Sequence, residues 1–515
     1  SAISHQPSAI SHQPSAISHQ PSAISHQPSA ISHQPSAISR REAWRGVKVV
    51  IIGAGPAGLT AAAACAADGD QVTVLEQDPA YVGGISRTVK YQGFRFDLGG
   101  HRFFSKSREI TDWWARRLPD DFIKVRRLSR IYYRGKFFDY PLKAFNALFN
   151  LGVWTSYLCV LSYLNIRLRP LPVEKSFQDW VTNRFGRKLF AIFFKTYTEK
   201  VWGRPCDTIS ADWAAQRIKG LSLVSAVRHA LFPPKPKNGD VVKTLIEEFQ
   251  YPRLGPGMMW ERTRDDLLAD GQRVEMGVTV SGIEHDGARV TALVSADGRR
   301  WVGDAFIVSM PLRDTVRALT PPPPADVLAA AARLEYRDFL TVALMVRHEN
   351  LFPDNWIYIH DPGVKLGRVQ NFNNWSRALS PSAGVTCLGL EYFCFEGDEL
   401  WNAADSDLIE LGKRELRQLG LVTADDDIFD GCVVRMPKAY PVYGEHYAAD
   451  VDLIRRELEQ LTNLQVVGRN GMHRYNNMDH SMMTALLAAK NLHGGKFDLW
   501  RVNTDAEYHE EGGEQ

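Results

Sequence analysis

The chain has 515 residues, of which 44% are hydrophobic, 23% charged and 10% aromatic, with 61 Lys and Arg against 59 Asp and Glu for a formal net charge of +2. That length allows two or three domains around a large core, and that composition excludes a disulfide-stapled miniprotein, a disordered chain and a membrane-saturated one. The near balance of charge removes any general electrostatic reason to expect nucleic-acid binding, and six cysteines scattered without a C-x-x-C pair argue against a disulfide framework or metal site and for a reducing, cytoplasmic setting.

Residues 1–39 repeat Ser-Ala-Ile-Ser-His-Gln-Pro five times and break off at Ser39, without a single charge. The seven-base unit AGCCATC, read in triplets, encodes this peptide in every forward frame. The segment therefore reads as a translated repeat tract, too polar to fold and without a signal-peptide core. The first Met is Met258, and Val47, if encoded by GTG, is a candidate start.

Order is expected from Val47, where Val-Lys-Val-Val-Ile-Ile forms a continuous apolar strand suited to burial in a parallel sheet. It leads into Gly53-Ala-Gly55-Pro56-Ala57-Gly58 and an Ala-rich helix through Ala67. Gly53 permits the tight turn, Gly55 the close approach of a pyrophosphate, and Gly58 close helix packing, with the helix N-terminus facing the phosphates. A second strand, Gln71–Glu76, ends in a carboxylate 23 residues after Gly53, suited to a ribose diol. A further glycine pair, Gly83-Gly84, precedes Arg87, and Asp97-Leu-Gly99-Gly100-His101 follows.

The basic residues Arg116, Arg117, Lys124, Arg126, Arg127, Arg130, Arg134 and Lys136 read as a solvated face, with attraction of an anionic substrate or lipid as the alternative. Residues 145–166 are 22 positions without a charge, long enough to span a bilayer. Spanning would put the Gly53 and Gly468 loops on opposite sides, so a buried helix is expected, with peripheral membrane contact as the alternative. Val278-Thr-Val280-Ser-Gly-Ile and Asp304-Ala-Phe-Ile-Val-Ser read as strands, 406–418 as an amphipathic helix, and Leu464-Gln-Val-Val-Gly468 as a strand ending in glycine. A helix then starts near Asn477-Met478-Asp479, with Asn477 or Asp479 able to cap it.

The order of strand, glycines, helix, acid and second glycine pair resembles the flavoprotein superfamily of amine oxidases, protoporphyrinogen oxidase, phytoene desaturases and UDP-galactopyranose mutase. The resemblance implies FAD, held by Gly53, Gly55, Pro56, Ala57, Gly58, Glu76, Gly83, Gly84, Arg87, Gly100, Val280, Gly468, Asn477, Met478 and Asp479. It also implies an α/β fold in which a Rossmann-type, glutathione reductase-like FAD domain (46–100, 255–315 and 456–500) carries an inserted α+β substrate domain (101–254 and 316–455). Three passages are similar to the mutase in particular: Asp97-Leu-Gly-Gly-His101-Arg-Phe-Phe, Tyr197-Thr-Glu-Lys-Val-Trp202-Gly-Arg204, and Gly468-Arg469 with Arg474-Tyr475. Of the arginine pair that follows the tryptophan motif in the mutase, only Arg217 is represented, and Leu221 stands at the second position.

The mutase resemblance implies a small-molecule nucleotide-sugar substrate, no metal, and a place in polysaccharide biosynthesis. His101 would then hold the reactive edge of the flavin, Arg368 the diphosphate, and Tyr392 and Tyr440 would orient the diphosphate. Reduced FAD would attack the anomeric carbon, displace the nucleotide diphosphate as leaving group, and allow the ring to open and reclose in the other ring size. The alternative is an FAD-dependent oxidoreductase of the amine oxidase or protoporphyrinogen oxidase type.

Overall fold

The computed structural model describes residues 46–211, 248–423, 428–444 and 446–503; the heptapeptide repeat, Arg217 and Leu221 lie outside them. Lys48–Ile52 is the central strand of a five-stranded parallel sheet, in the order Leu464–Val466, Ala305–Val308, Lys48–Ile52, Gln71–Glu76, Arg273–Met276. Strands on either side and helices above and below leave Val49 to Ile52 buried, which is why the segment carries no polar alternation. The sheet closes only when both ends of the chain and its middle meet. That closure sets the Gly53 and Gly468 turns side by side: a Cβ on Gly468 would lie 2.9 Å from the Ala57 Cβ.

Helix Pro56–Ala67 leaves the first strand, and Met478–Leu492 and Gly257–Ala269 pack against it. A Cβ on Gly58 would stand 1.8 Å from the Gly53 carbonyl oxygen, so the turn and the helix can approach only with glycine there. The same core takes in Ile110, Trp113 and Trp114 of helix Arg108–Arg117, and Val327, Ala330 and Ala331 of Ala325–Arg333. These residues fall outside the segments that the sequence reading gives to the nucleotide-binding part.

A seven-stranded sheet forms the other large layer, in the order Ile428–Val442, Glu335–Val346, Thr386–Cys394, Arg368–Asn371, Trp356–Ile359, Ser129–Tyr133, Lys136–Asp139. Its pairings are antiparallel except that Trp356–Ile359 runs parallel to Ser129–Tyr133. One face packs under helix Asp405–Gln418 through Leu340, Val342, Leu390, Leu408 and Leu416. The other face carries the candidate site.

The charge-free stretch at 145–166 is not one helix. It divides at Gly152, where φ is +79°, into Ala144–Leu151 and Val153–Leu168. Among the described residues no helix is long and apolar enough to cross a membrane.

Candidate active site

The nucleotide cradle is built by the turns after two adjacent strands. Gly83 donates its N–H to the Ala54 carbonyl at 2.8 Å, which lays the second glycine loop across the first. Glu76 ends its strand beneath them, accepting from Ala54 N–H at 2.6 Å and from Asp78 N–H at 2.9 Å. Burial pushes the Glu76 carboxyl up while these two donors pull it down, and each oxygen keeps a second lone pair for a hydroxyl. At Gly55 a Cβ would meet no atom nearer than Gly84 Cα at 3.9 Å, so the space over this residue is open. Arg87 pairs with Asp78 and stands over Tyr81, yet its Nε is buried without a hydrogen-bond partner among the described residues. An open cradle between glycines, a helix N-terminus, an unpaired guanidinium nitrogen and a carboxylate at the far side suit a dinucleotide.

The C-terminal segment closes the cradle. Gly468 N–H donates to Thr484 Oγ1 at 3.0 Å, and the Gly468 carbonyl accepts from Asn476 Nδ2 at 3.2 Å. Asn477 is the N-cap of Met478–Leu492, its N–H donating to His480 Nδ1 at 3.3 Å, and Asp479 accepts from Ser105 Oγ at 3.0 Å. Gly100 serves packing as well: a Cβ there would come within 3.2 Å of Trp375 and 3.1 Å of Gln370 Nε2. Val280 packs against the main core, and two residues before it Val278 donates its N–H to the Glu76 carbonyl at 2.8 Å, which ties this strand to the end that carries Glu76.

Beyond the cradle, His101 and Arg368 converge over Gly99: a Cβ built there would lie 3.6 Å from Arg368 Nη2 and 3.9 Å from His101 Nε2. His101 Nε2–H donates to the Leu98 carbonyl at 3.0 Å. Burial, with Arg469 and Arg368 nearby, lowers its pKa to about 4, so at neutral pH it is an uncharged imidazole. Arg368 lies directly opposite Glu391 across antiparallel strands, and its Nε donates to both carboxylate oxygens at 2.9 Å while Nη2 makes a closer bond to Oε2. Gln370 Nε2 adds a third donor at 2.9 Å. Burial works against the Arg368 charge, but Glu391 more than offsets it and holds the guanidinium well above its ordinary value.

An aromatic wall completes the site. Tyr440 stacks on Tyr475 with centroids 5.5 Å apart, and the Arg469 guanidinium stands 5.4 and 4.8 Å from the two rings. Tyr197 stacks on His360 at 4.9 Å and meets Tyr358 edge-on at 5.4 Å. The rest of the Tyr197 motif is structural: Lys200 Nζ donates to the carbonyls of Ile359, Asp361 and Leu366, and Arg204 pairs with Glu335.

Tyr392 does not belong to the site. Side chains alternate across a strand, so with Glu391 facing Arg368, Tyr392 faces the opposite layer. There it is fully buried and donates to Glu415 Oε2 at 3.1 Å. Phe393, back on the site face, meets Tyr440 at 6.2 Å.

Two residues were not legible as site residues. Glu391 carries no motif and is revealed only by register. Arg127 belongs by sequence to a basic group that reads as a solvated face, yet its Nε, Nη1 and Nη2 are all buried without a hydrogen-bond partner among the described residues. Its guanidinium stands 5.5 Å from the rings of both Tyr140 and Trp356, and Arg102 stands 5.5 Å from Trp356 as well. Trp356 and Tyr358 alternate onto the same face as Gln370 and Arg368, their cross-strand partners, so Arg127 belongs to this side of the sheet. Other members of the basic group are spoken for, Arg117 by Asp266 and Arg130 by Asp354.

Residues 56–493 match the model of the flavin containing amine oxidoreductase family. Among solved structures, a reduced UDP-galactopyranose mutase superposes with a TM-score of 0.76 at 23% identity, covering 90% of this chain and 100% of that one. A putrescine oxidase variant superposes with a TM-score of 0.60 at 14% identity over 87% and 98% of the two chains. A 4,4'-diapophytoene desaturase from Staphylococcus aureus strain bovine RF122 / ET3-1 is 34% identical over 88 residues. That match spans 17% of this chain and 17% of the desaturase.

Proposed function

The chain belongs to the flavin containing amine oxidoreductase family, whose cofactor is FAD, and we propose that it acts on a nucleotide diphosphate sugar, interconverting its pyranose and furanose forms. The observation that carries this reading is the buried guanidinium of Arg127, none of whose nitrogens has a hydrogen-bond partner among the described residues. An unpaired buried cation is costly, and a phosphate oxygen from a ligand is the group that satisfies its fork of donors. Arg368 and Arg469 extend the positive lining toward His101.

In this reading the family's flavin supplies the reactive centre, and the chain binds and orients. Gly55, Gly83, Gly84, Glu76 and Arg87 hold the dinucleotide, with Gly468 and the Met478–Leu492 N-terminus at its other end. His101, neutral and pinned to Leu98, presents a fixed edge without adding charge. Arg127 and Arg368 take the two phosphates, and Tyr440 with Tyr475 forms a flat wall that excludes water. Turnover of UDP-galactopyranose tests the reading: product is expected only after the flavin is reduced, and consumption of an electron acceptor without ring rearrangement would reject it.

The second reading is an oxidoreductase on an uncharged substrate. The Arg368–Glu391 pair favours it, because Glu391 already neutralises one of the arginines the mutase reading assigns to phosphate.

A further inference from the structure

Helix Val153–Leu168 buries Cys159 and Ile166 and turns an apolar face outward. Val153 is 91% exposed, Trp154 71% and Leu168 82%, with Tyr157, Val160, Leu161 and Leu164 also exposed between them. Phe149, at the end of the preceding helix, is 87% exposed. A surface helix ordinarily shows water its polar side, and scattered exposed apolar residues need no explanation, but a continuous stripe of this kind marks a contact surface.

The charge around the stripe identifies the contact. From Tyr140 to Val173 there is no Asp or Glu, and the charged residues are Lys143, Arg167 and Arg169, all exposed; Lys143 pairs with Asp139 at 3.4 Å, which leaves Arg167 and Arg169 as the basic end of the stripe. Trp154 and Tyr157, with ring centroids 5.8 Å apart, sit near the start of the stripe and Arg167 and Arg169 at its end. We propose that this helix lies in the interface of an anionic lipid bilayer, with its apolar face in the acyl boundary and its arginines among the headgroups. Amphipathic aromatic rings and basic residues without carboxylates are what that interface selects. A second copy would bring a rim of the same sign and has no such complement. At 16 residues the helix is about 24 Å long, shorter than a span needs, which fits a helix in the plane of the surface.

The buried side of the same helix adjoins the candidate site. The helix packs on the 129–139 hairpin through Ile131, Phe138 and Cys159, and the same small core includes Tyr140, over which Arg127 stands. The helix would thus stand between a bound bilayer and the Arg127 end of the site.

The test is co-sedimentation of the full-length holoprotein with vesicles of phosphatidylcholine alone and of phosphatidylcholine with 30% phosphatidylglycerol. Wild type is expected to bind the anionic vesicles and to be released by salt. Trp154→Glu/Leu161→Glu and, separately, Arg167→Glu/Arg169→Glu are each expected to lower binding roughly tenfold or more. All four positions are exposed, and unchanged flavin content and thermal midpoint would show that the variants fold. Wild type remaining in the supernatant with both vesicle types would overturn the proposal, as would equal binding to neutral vesicles. A wild-type dimer that the Trp154→Glu/Leu161→Glu variant dissolves, without vesicle binding, would instead assign the face to a second copy.

Discussion

Arg368 and Glu391, opposite one another on adjacent antiparallel strands, form a buried pair in which the guanidinium donates to both carboxylate oxygens. Breaking such a pair from one side costs more than the pair contributes, because the remaining charge is stranded. Arg368→Ala is therefore expected to destabilise the fold by about 3–5 kcal/mol, and Arg368→Ala/Glu391→Gln to recover much of that loss, read by denaturant unfolding. Glu391→Gln alone frees Arg368 and is expected to tighten UDP binding by about tenfold. Unchanged affinity would place the pair outside the anion site.

Gly55 and Gly58 separate cofactor binding from folding. A Cβ at Gly55 touches nothing closer than 3.9 Å, whereas one at Gly58 meets the Gly53 carbonyl at 1.8 Å. Gly55→Val is thus expected to yield a colourless protein with a wild-type apoprotein circular dichroism spectrum. Gly58→Val is expected to lower expression and thermal stability as well. Yellow protein from Gly55→Val would contradict the cradle.

Tyr392 and Tyr440 should respond differently to loss of the hydroxyl. Tyr392→Phe removes the bond to Glu415 on the far layer and is expected to cost about 1 kcal/mol of stability with turnover unchanged. Tyr440→Phe changes a group on the site face and is expected to alter turnover with little change in stability. The reverse pattern in paired kinetic and unfolding measurements would show that the register has been misassigned.

Asp97 gives the fold a pH dependence of definite sign. Burial raises its carboxyl from 3.8 to about 7, against the pull of Tyr251 and Thr88. Between those values the folded state holds a proton that the unfolded chain releases, so this contribution is fully present below 3.8 and fades as pH rises through 7. The span corresponds to roughly 4 kcal/mol at most. Asp97→Asn is expected to flatten that part of the stability profile. A wild-type profile that instead rises from pH 4 to 7, unaltered by the substitution, would show that Asp97 stays ionised.

The cofactor side was legible because each requirement there is local. Gly53, Gly55, Gly58 and Glu76 follow one another within one turn, one helix and one strand, so spacing alone carries the geometry. The substrate side is assembled from strands distant in the chain, and there the period of two decides which residue of a neighbouring pair reaches the site. Motif likeness points to Tyr392 and not to Glu391, although a one-residue difference places them on opposite layers. Arg127 sat among seven other basic residues, and nothing in their composition tells a buried guanidinium from a solvated one. The uncharged stretch at 145–166 reads as one helix by its composition, but Gly152, with its positive φ, divides it into two.

The most direct test of the account is calorimetric titration of UDP, with uridine as control, into wild-type holoprotein and into Arg127→Met. Saturable UDP binding by wild type is expected, with much weaker binding of uridine. A charged-group hydrogen bond is worth roughly 1.5–3 kcal/mol, so Arg127→Met should weaken UDP by about tenfold to a hundredfold while flavin content stays the same. Wild-type protein that does not bind UDP, or an Arg127→Met variant that binds it equally well, would contradict the nucleotide-sugar reading and leave the oxidoreductase in its place.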